Sequence, residues 1–156
     1  MKAITLWQPW ASLLACGIKI YETRSWATNY RGPIAIHAAK NTPRDLMPWP
    51  LDFDDACRAA FGHKKWMDAL PFGMMVATAE LVECHRIIGH GCRGQLGASL
   101  GCLEIDGGIY KPTELEKCFG DWTPGRYAWE FDDMTRLPEP IPAKGHQSIW
   151  NWDGGV

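Results

Sequence analysis

The spacing of apolar and polar positions along the 156-residue chain changes period several times, and the changes divide it into elements. The opening MKAITLW alternates as a half-buried strand does. QPWASLLACG follows, with Pro9 suited to a first helical position and Gly17 to a C-terminal stop, so a short helix is expected from Pro9 to Cys16. GIKIYETRSW then reads as strand, NYRGP as a turn and IAIHAAK as an alternating strand. Residues 41–53 hold three prolines and read as a loop into a helix from Asp54 to Met67, with Asp54 and Asp55 at its dipole-favoured end. FGMMVATAELVEC is expected to form a long, largely buried strand, and IIGHGCRGQLGASLG a glycine-rich loop. LEI reads as a short strand, PTELEKCFG as a short helix and GRYAWEFDD as another strand. LPEPIPAKG reads as a proline-spaced connection and SIWNW as a closing strand. No βαβ rhythm and no glycine-rich phosphate loop interrupts this series. The pattern therefore predicts an α+β fold, a small mixed β-barrel with a few short helices.

Composition narrows the class without naming a function. With 46% hydrophobic and 22% charged residues the chain is globular, and its length fits one domain. Its six cysteines include no CxxC pair and read as mostly buried thiols of a reducing compartment. No apolar run of about 18 residues and no signal-peptide pattern is seen, so a cytoplasmic, non-membrane protein is expected. Residues 1–44 carry six basic residues against Glu22 alone, a local net charge of +5 in a chain whose total is −2. That asymmetry fits either an anion-facing patch or charges that folding mixes in space. Nine tryptophans are the compositional excess, and tryptophan serves both as core and as a stacking platform.

The charges in GIKIYETRSW carry the strongest signal. Gly17, Lys19, Glu22 and Arg24 form a G-x-K-x-x-E-x-R motif, flanked by Gln8-Pro9-Trp10, the Tyr30-Arg31-Gly32-Pro33 turn, the Ile34 to His37 strand, the Gly73 to Val82 strand and PIPAKG. In this order the chain resembles the ASCH domain, a branch of the PUA-like superfamily, over most of residues 1–156. The resemblance implies a PUA-like pseudo-barrel forming a single domain, with a cleft beside the motif strand. It implies an RNA or modified-nucleoside ligand and no cofactor. It also leaves open a coactivator-type protein-interaction module and a nucleoside-directed hydrolase, either a ribonuclease or an amidohydrolase of acetylcytidine.

Alternation along a strand puts Glu22 and Arg24 on one face and Lys19 on the other. Lys19 and Glu22 meet only if Lys19 lies in the helix-to-strand corner that Gly17 loosens, from which Lys19 is expected to reach over the cleft. In such a wall lysine meets a phosphate or carbonyl, arginine forks onto an acceptor pair, and glutamate accepts from a base amino group or ribose hydroxyl. Trp10 or Trp26 would supply a stacking face, Gln8 and Lys144 a rim, and His37 a further ligand contact. The competing reading is an ion-pair network of Lys19, Glu22 and Arg24 that pins strand to helix.

Lys19 and Glu22 are the catalytic candidates if the domain is an enzyme. The acetylcytidine-hydrolysing branch pairs its lysine with a threonine three positions on, where this chain has Glu22, and adds a glutamate from a later segment. Glu80, Glu83 and Glu104 are the candidates for that acid. Cys84, His85, His90 and Cys92 cluster in sequence, but their spacing matches no standard zinc pattern, and no metal site is assigned. Trp49, Trp66, Trp122 and Trp129 read as packing residues, and Trp150 and Trp152 share one face of the last strand.

Overall fold

The computed structural model describes residues 1–42, 51–62, 65–88, 102–105, 108–110 and 112–154, with backbone alone for 102–105, 108–110 and 114. β1 (Lys2–Leu6) leads into α1 (Trp10–Ala15), β2 (Tyr21–Arg24) and β3 (Gly32–Ala38). α2 (Leu51–Phe61), a 3-10 turn at Trp66–Ala69 and the long β4 (Met74–Ile88) follow. After β5 (Cys102–Ile105), β6 (Gly108–Tyr110) and α3 (Glu114–Cys118), the long β7 (Tyr127–Pro142) and β8 (Ile149–Asn151) complete the order.

Strands pair in the order β2-β7-β4-β3-β1-β8, and β5 and β6 form a hairpin off the end of β4. β1 and β3 run parallel, while their neighbours pair antiparallel, which makes the sheet mixed. Register shifts between β4 and β7 at Met75/Ala77, Thr78/Glu80 and Leu81/Glu83 each add local twist, and the sheet curls into a half barrel. This is the α+β pseudo-barrel with short helices that the pattern predicted.

Alternation sorts the core onto the two faces of the sheet. Ile4, Leu6, Ile34, Ile36, Leu81 and Trp129 pack with α1 on one face. Ala3, Ala35, Met75, Leu137 and Trp152 pack on the other, with Trp150 against them as expected. A third cluster of Leu13, Phe53, Cys57, Trp66 and Phe119 joins the three helices. Trp66, Trp122 and Trp129 are buried; of the loop expected over residues 87–101, Ile87 and Ile88 belong to β4, and residues 89–101, like Trp49, lie outside the described residues.

Several boundaries differ from the sequence reading; β4 runs past the expected end at Cys84 to Ile88, where it pairs with β5, and three others have local causes. α2 starts at Leu51 and stops at Phe61, because Gly62 takes φ +75° and its N–H closes on Arg58 O at 2.9 Å, a glycine stop inside the expected span. Pro9 is the N-cap of α1 rather than its first helical residue. β7 continues through Pro138, Pro140 and Pro142, the stretch read as a connection. Ile141 pairs with Met75 and Arg136 with Ala77, so residues 137–140 bulge out of that ladder and Pro138 and Pro140 need no N–H partner there.

Candidate functional site

The motif glycine works through the end of α1. Gly17 takes φ +69°, its N–H reaches Leu14 O at 2.8 Å, and the Ile18 N–H reaches Leu13 O at 3.0 Å. This is a Schellman closure, in which a left-handed residue satisfies the last helical carbonyls and reverses the chain. The Lys19 N–H adds a third bond, to Leu13 O at 3.1 Å, so the backbone at Lys19 is fixed before β2 begins. Lys19 thus occupies the helix-to-strand corner, outside the alternation of the strand.

From that corner Lys19 points inward. It is 1% exposed, donates its Nζ to Tyr21 O, and lies 3.7 Å from Glu22 Oε2. Glu22 is shared: its Oε1 is 3.2 Å from Arg24 Nε. A second carboxylate closes the cluster from α3. Glu116 is 3% exposed, accepts the Ile20 N–H through Oε1, and leaves Oε2 buried without a hydrogen-bond partner. Burial raises the Glu116 carboxyl above its ordinary range and Glu22 adds to the rise; Lys19 and the Ile20 and Tyr21 amides oppose it. The expectation that Lys19 reaches over a cleft is corrected, since a carbonyl and two carboxylates draw the ammonium inside.

Arg24 carries the cluster outward. Its side chain is 26% exposed, and its Nη2 donates to Thr5 O at 3.0 Å, bridging the seam from β2 at one edge of the curled sheet to β1, the strand next to the other edge strand, β8. β8 pairs only with Lys2, Ala3 and Ile4, so the Thr5 carbonyl lies beyond that ladder. Thr5 Oγ1 accepts from Trp150 Nε1 at 3.2 Å. Gly145 packs so closely here that a Cβ on it would sit 2.9 Å from Thr5 Oγ1 and 2.4 Å from His37 Cε1. Thr5 therefore links the motif to His37, Trp150 and the loop holding Lys144.

His37 is 1% exposed and its Nε2 is 3.1 Å from Ala143 O. A carbonyl only accepts, so Nε2 carries the proton and Nδ1, buried without a hydrogen-bond partner, keeps its lone pair. Burial lowers the His37 pKa, His146 lowers it further, and the Ala143 contact opposes both.

The remaining candidates separate. Gln8 is fully buried and ties the start of α1 to the loop before β4, its Oε1 accepting from Ser12 N at 3.2 Å and its Nε2 donating to Pro71 O at 2.6 Å. Trp10 packs on Phe53 at 5.6 Å, and Trp26 meets Trp129 edge-on at 4.7 Å; both rings are partly buried against the core. Lys144 is exposed beside Gly145. Glu83 is tied to Arg31 at the surface and Glu80 lies by Tyr30; the Glu104 side chain is outside the described residues. Glu116 was the acid the sequence reading missed. His90 and Cys92 also lie outside them, and His85 Nε2 is 2.6 Å from Glu130 Oε2. Among the described residues no three His, Cys, Asp or Glu groups converge to hold a metal, and no helix is long and apolar enough to cross a membrane.

The Lys19 corner, with its glycine reversal and strand-borne Glu22 and Arg24, falls within residues 4–136, which match the family model for the ASCH domain. The chain belongs to the ASCH domain family. Activating signal cointegrator 1 from Homo sapiens is 33% identical to this ASCH domain over 84 residues, covering 52% of the chain. That stretch is 14% of the human protein, so the chain matches a small part of its relative.

Proposed function

We propose that this ASCH domain, read as one unit over residues 1–156, binds single-stranded RNA or a nucleoside-like ligand where β2 meets β1. Arg24 carries the reading. Thr5 O and Glu22 fix its guanidinium in place, with Nε buried beside Glu22, while about a quarter of the side chain (26%) stays exposed. A guanidinium held in this way loses little freedom when it forks onto a phosphate or a base acceptor pair. Lys19 acts as the buried post that holds Glu22, and Glu22 orients Arg24. The family and the cations left at the surface, Lys40 and the partly exposed Arg24, support an anionic, nucleotide-like partner.

The test is a titration of wild type and Arg24→Ala against an unstructured RNA oligonucleotide, cytidine and acetylcytidine. Losing a bidentate contact worth about 1–3 kcal/mol should weaken binding by about 5- to 150-fold. Equal affinity of the two proteins overturns the reading. A second reading, nucleoside-directed hydrolysis, draws on Glu116, a buried carboxyl with raised pKa beside Lys19. Product that forms in these mixtures with wild type but not with Glu116→Gln would put hydrolysis in place of binding. A protein partner, suggested by the relative's name, would bind independently of Arg24.

A further inference from the structure

We infer that Trp7 is a stacking platform for an unpaired nucleobase at the mouth of the Arg24 seam, a placement that rests on the RNA-binding reading above. Trp7 is 49% exposed, whereas Leu6 is 2% and Gln8 0% exposed, so this ring turns out where its neighbours turn in. Its base is rigid. Trp7 O accepts the Ala11 N–H at 3.1 Å in the first turn of α1, and Gln8 behind it is locked to Ser12 and Pro71. The ring makes no aromatic contact and the indole N–H no hydrogen bond with any described residue. A large aromatic face is thus held open at little conformational cost.

Its surroundings select a nucleic acid over an apolar partner. Thr5, two residues back, receives Arg24 on its carbonyl and lies against Gly145, which follows exposed Lys144. On the other side the Ala39 N–H bonds Leu6 O at 2.8 Å, bringing exposed Lys40 alongside. Neither lysine forms an ion pair with a described residue. An exposed aromatic ring whose chain neighbours Thr5 and Leu6 are bonded or packed against Arg24, Ala39 beside Lys40, and Gly145 beside Lys144 suits a strand whose phosphates meet those cations while a base lies on the ring.

The experiment compares wild type, Trp7→Ala and Trp7→Phe for affinity to an oligouridine and to an abasic ribose-phosphate strand of equal length. Base stacking on an aromatic ring is worth about 1–3 kcal/mol, so Trp7→Ala should bind oligouridine about 5- to 150-fold more weakly. Trp7→Phe should retain most of the affinity, and all three proteins should bind the abasic strand equally. Unchanged oligouridine affinity in Trp7→Ala overturns the platform while leaving the Arg24 reading intact. Wild type binding neither strand overturns both. If sedimentation shows self-association that Trp7→Ala abolishes without changing RNA affinity, the ring is a protein contact and the inference fails.

Discussion

Lys19 and Glu116 illustrate how one residue's chemistry depends on another far along the chain. The motif made Lys19, Glu22 and Arg24 legible, and the position of Gly17 placed Lys19 in the corner. Glu116 was hidden because Thr113-x-x-Glu116 reads as a capping box, in which the glutamate would turn back to the cap amide. Half of that box forms, with Thr113 Oγ1 accepting the Glu116 N–H at 3.2 Å, but the carboxylate turns instead to Ile20. Only tertiary placement of α3 reveals this. Because the folded-state pKa of Glu116 is raised, the folded protein holds its proton more tightly than the unfolded chain does. Stability from this group is therefore full below the unfolded value and is lost as pH rises through the folded value. In urea unfolding across that window, wild type should lose stability relative to Glu116→Gln as pH rises. A difference independent of pH, or one of opposite sign, would refute the assignment.

At the scale of elements, local chemistry was readable where it was self-contained. The α1 stop at Gly17 follows from glycine's access to positive φ, and a Cβ there would meet nothing within 4 Å, so backbone conformation alone decides its cost. Gly17→Ala should lower unfolding free energy by about 1 kcal/mol in chemical denaturation. A neutral substitution would mean that the reversal does not hold the Lys19 corner. The long β7 was unreadable for the opposite reason. Its prolines forbid an ordinary central strand, and only the bulge against β4 removes the objection. The extent of β4 and the stop at Gly62 likewise depend on pairing and on one backbone angle, which apolar periodicity does not report.

Across the whole molecule, curling of the sheet turns dispersed sequence positions into one surface. β2 and β1 lie at different places in the strand order, yet the register shifts of β4 and β7 curl the sheet and Arg24 spans the gap to Thr5. The overall class was legible because seven predicted strands, few helices and the motif pointed to the same fold. The site was only partly legible: Arg24 is partly exposed on β2, Lys19 turns inward from its corner, Gln8 is buried, the partly buried rings of Trp10 and Trp26 pack on Phe53 and Trp129, and exposed Trp7 was not singled out. Folding disperses much of the basic N-terminal third, with Lys19 buried beside Glu22, Arg31 paired with Glu83 and Lys2 bonded to Asn151, while Lys40 stays exposed and Arg24 partly so.

The most direct test of the seam is to map amide shifts of the isotope-labelled protein during titration with single-stranded RNA. The account predicts saturable changes concentrated at Thr5, Trp7, Arg24 and residues 144–146, weakening as salt is raised. Saturable changes confined to α2 or the β5–β6 hairpin, or no change at any RNA concentration, would contradict it.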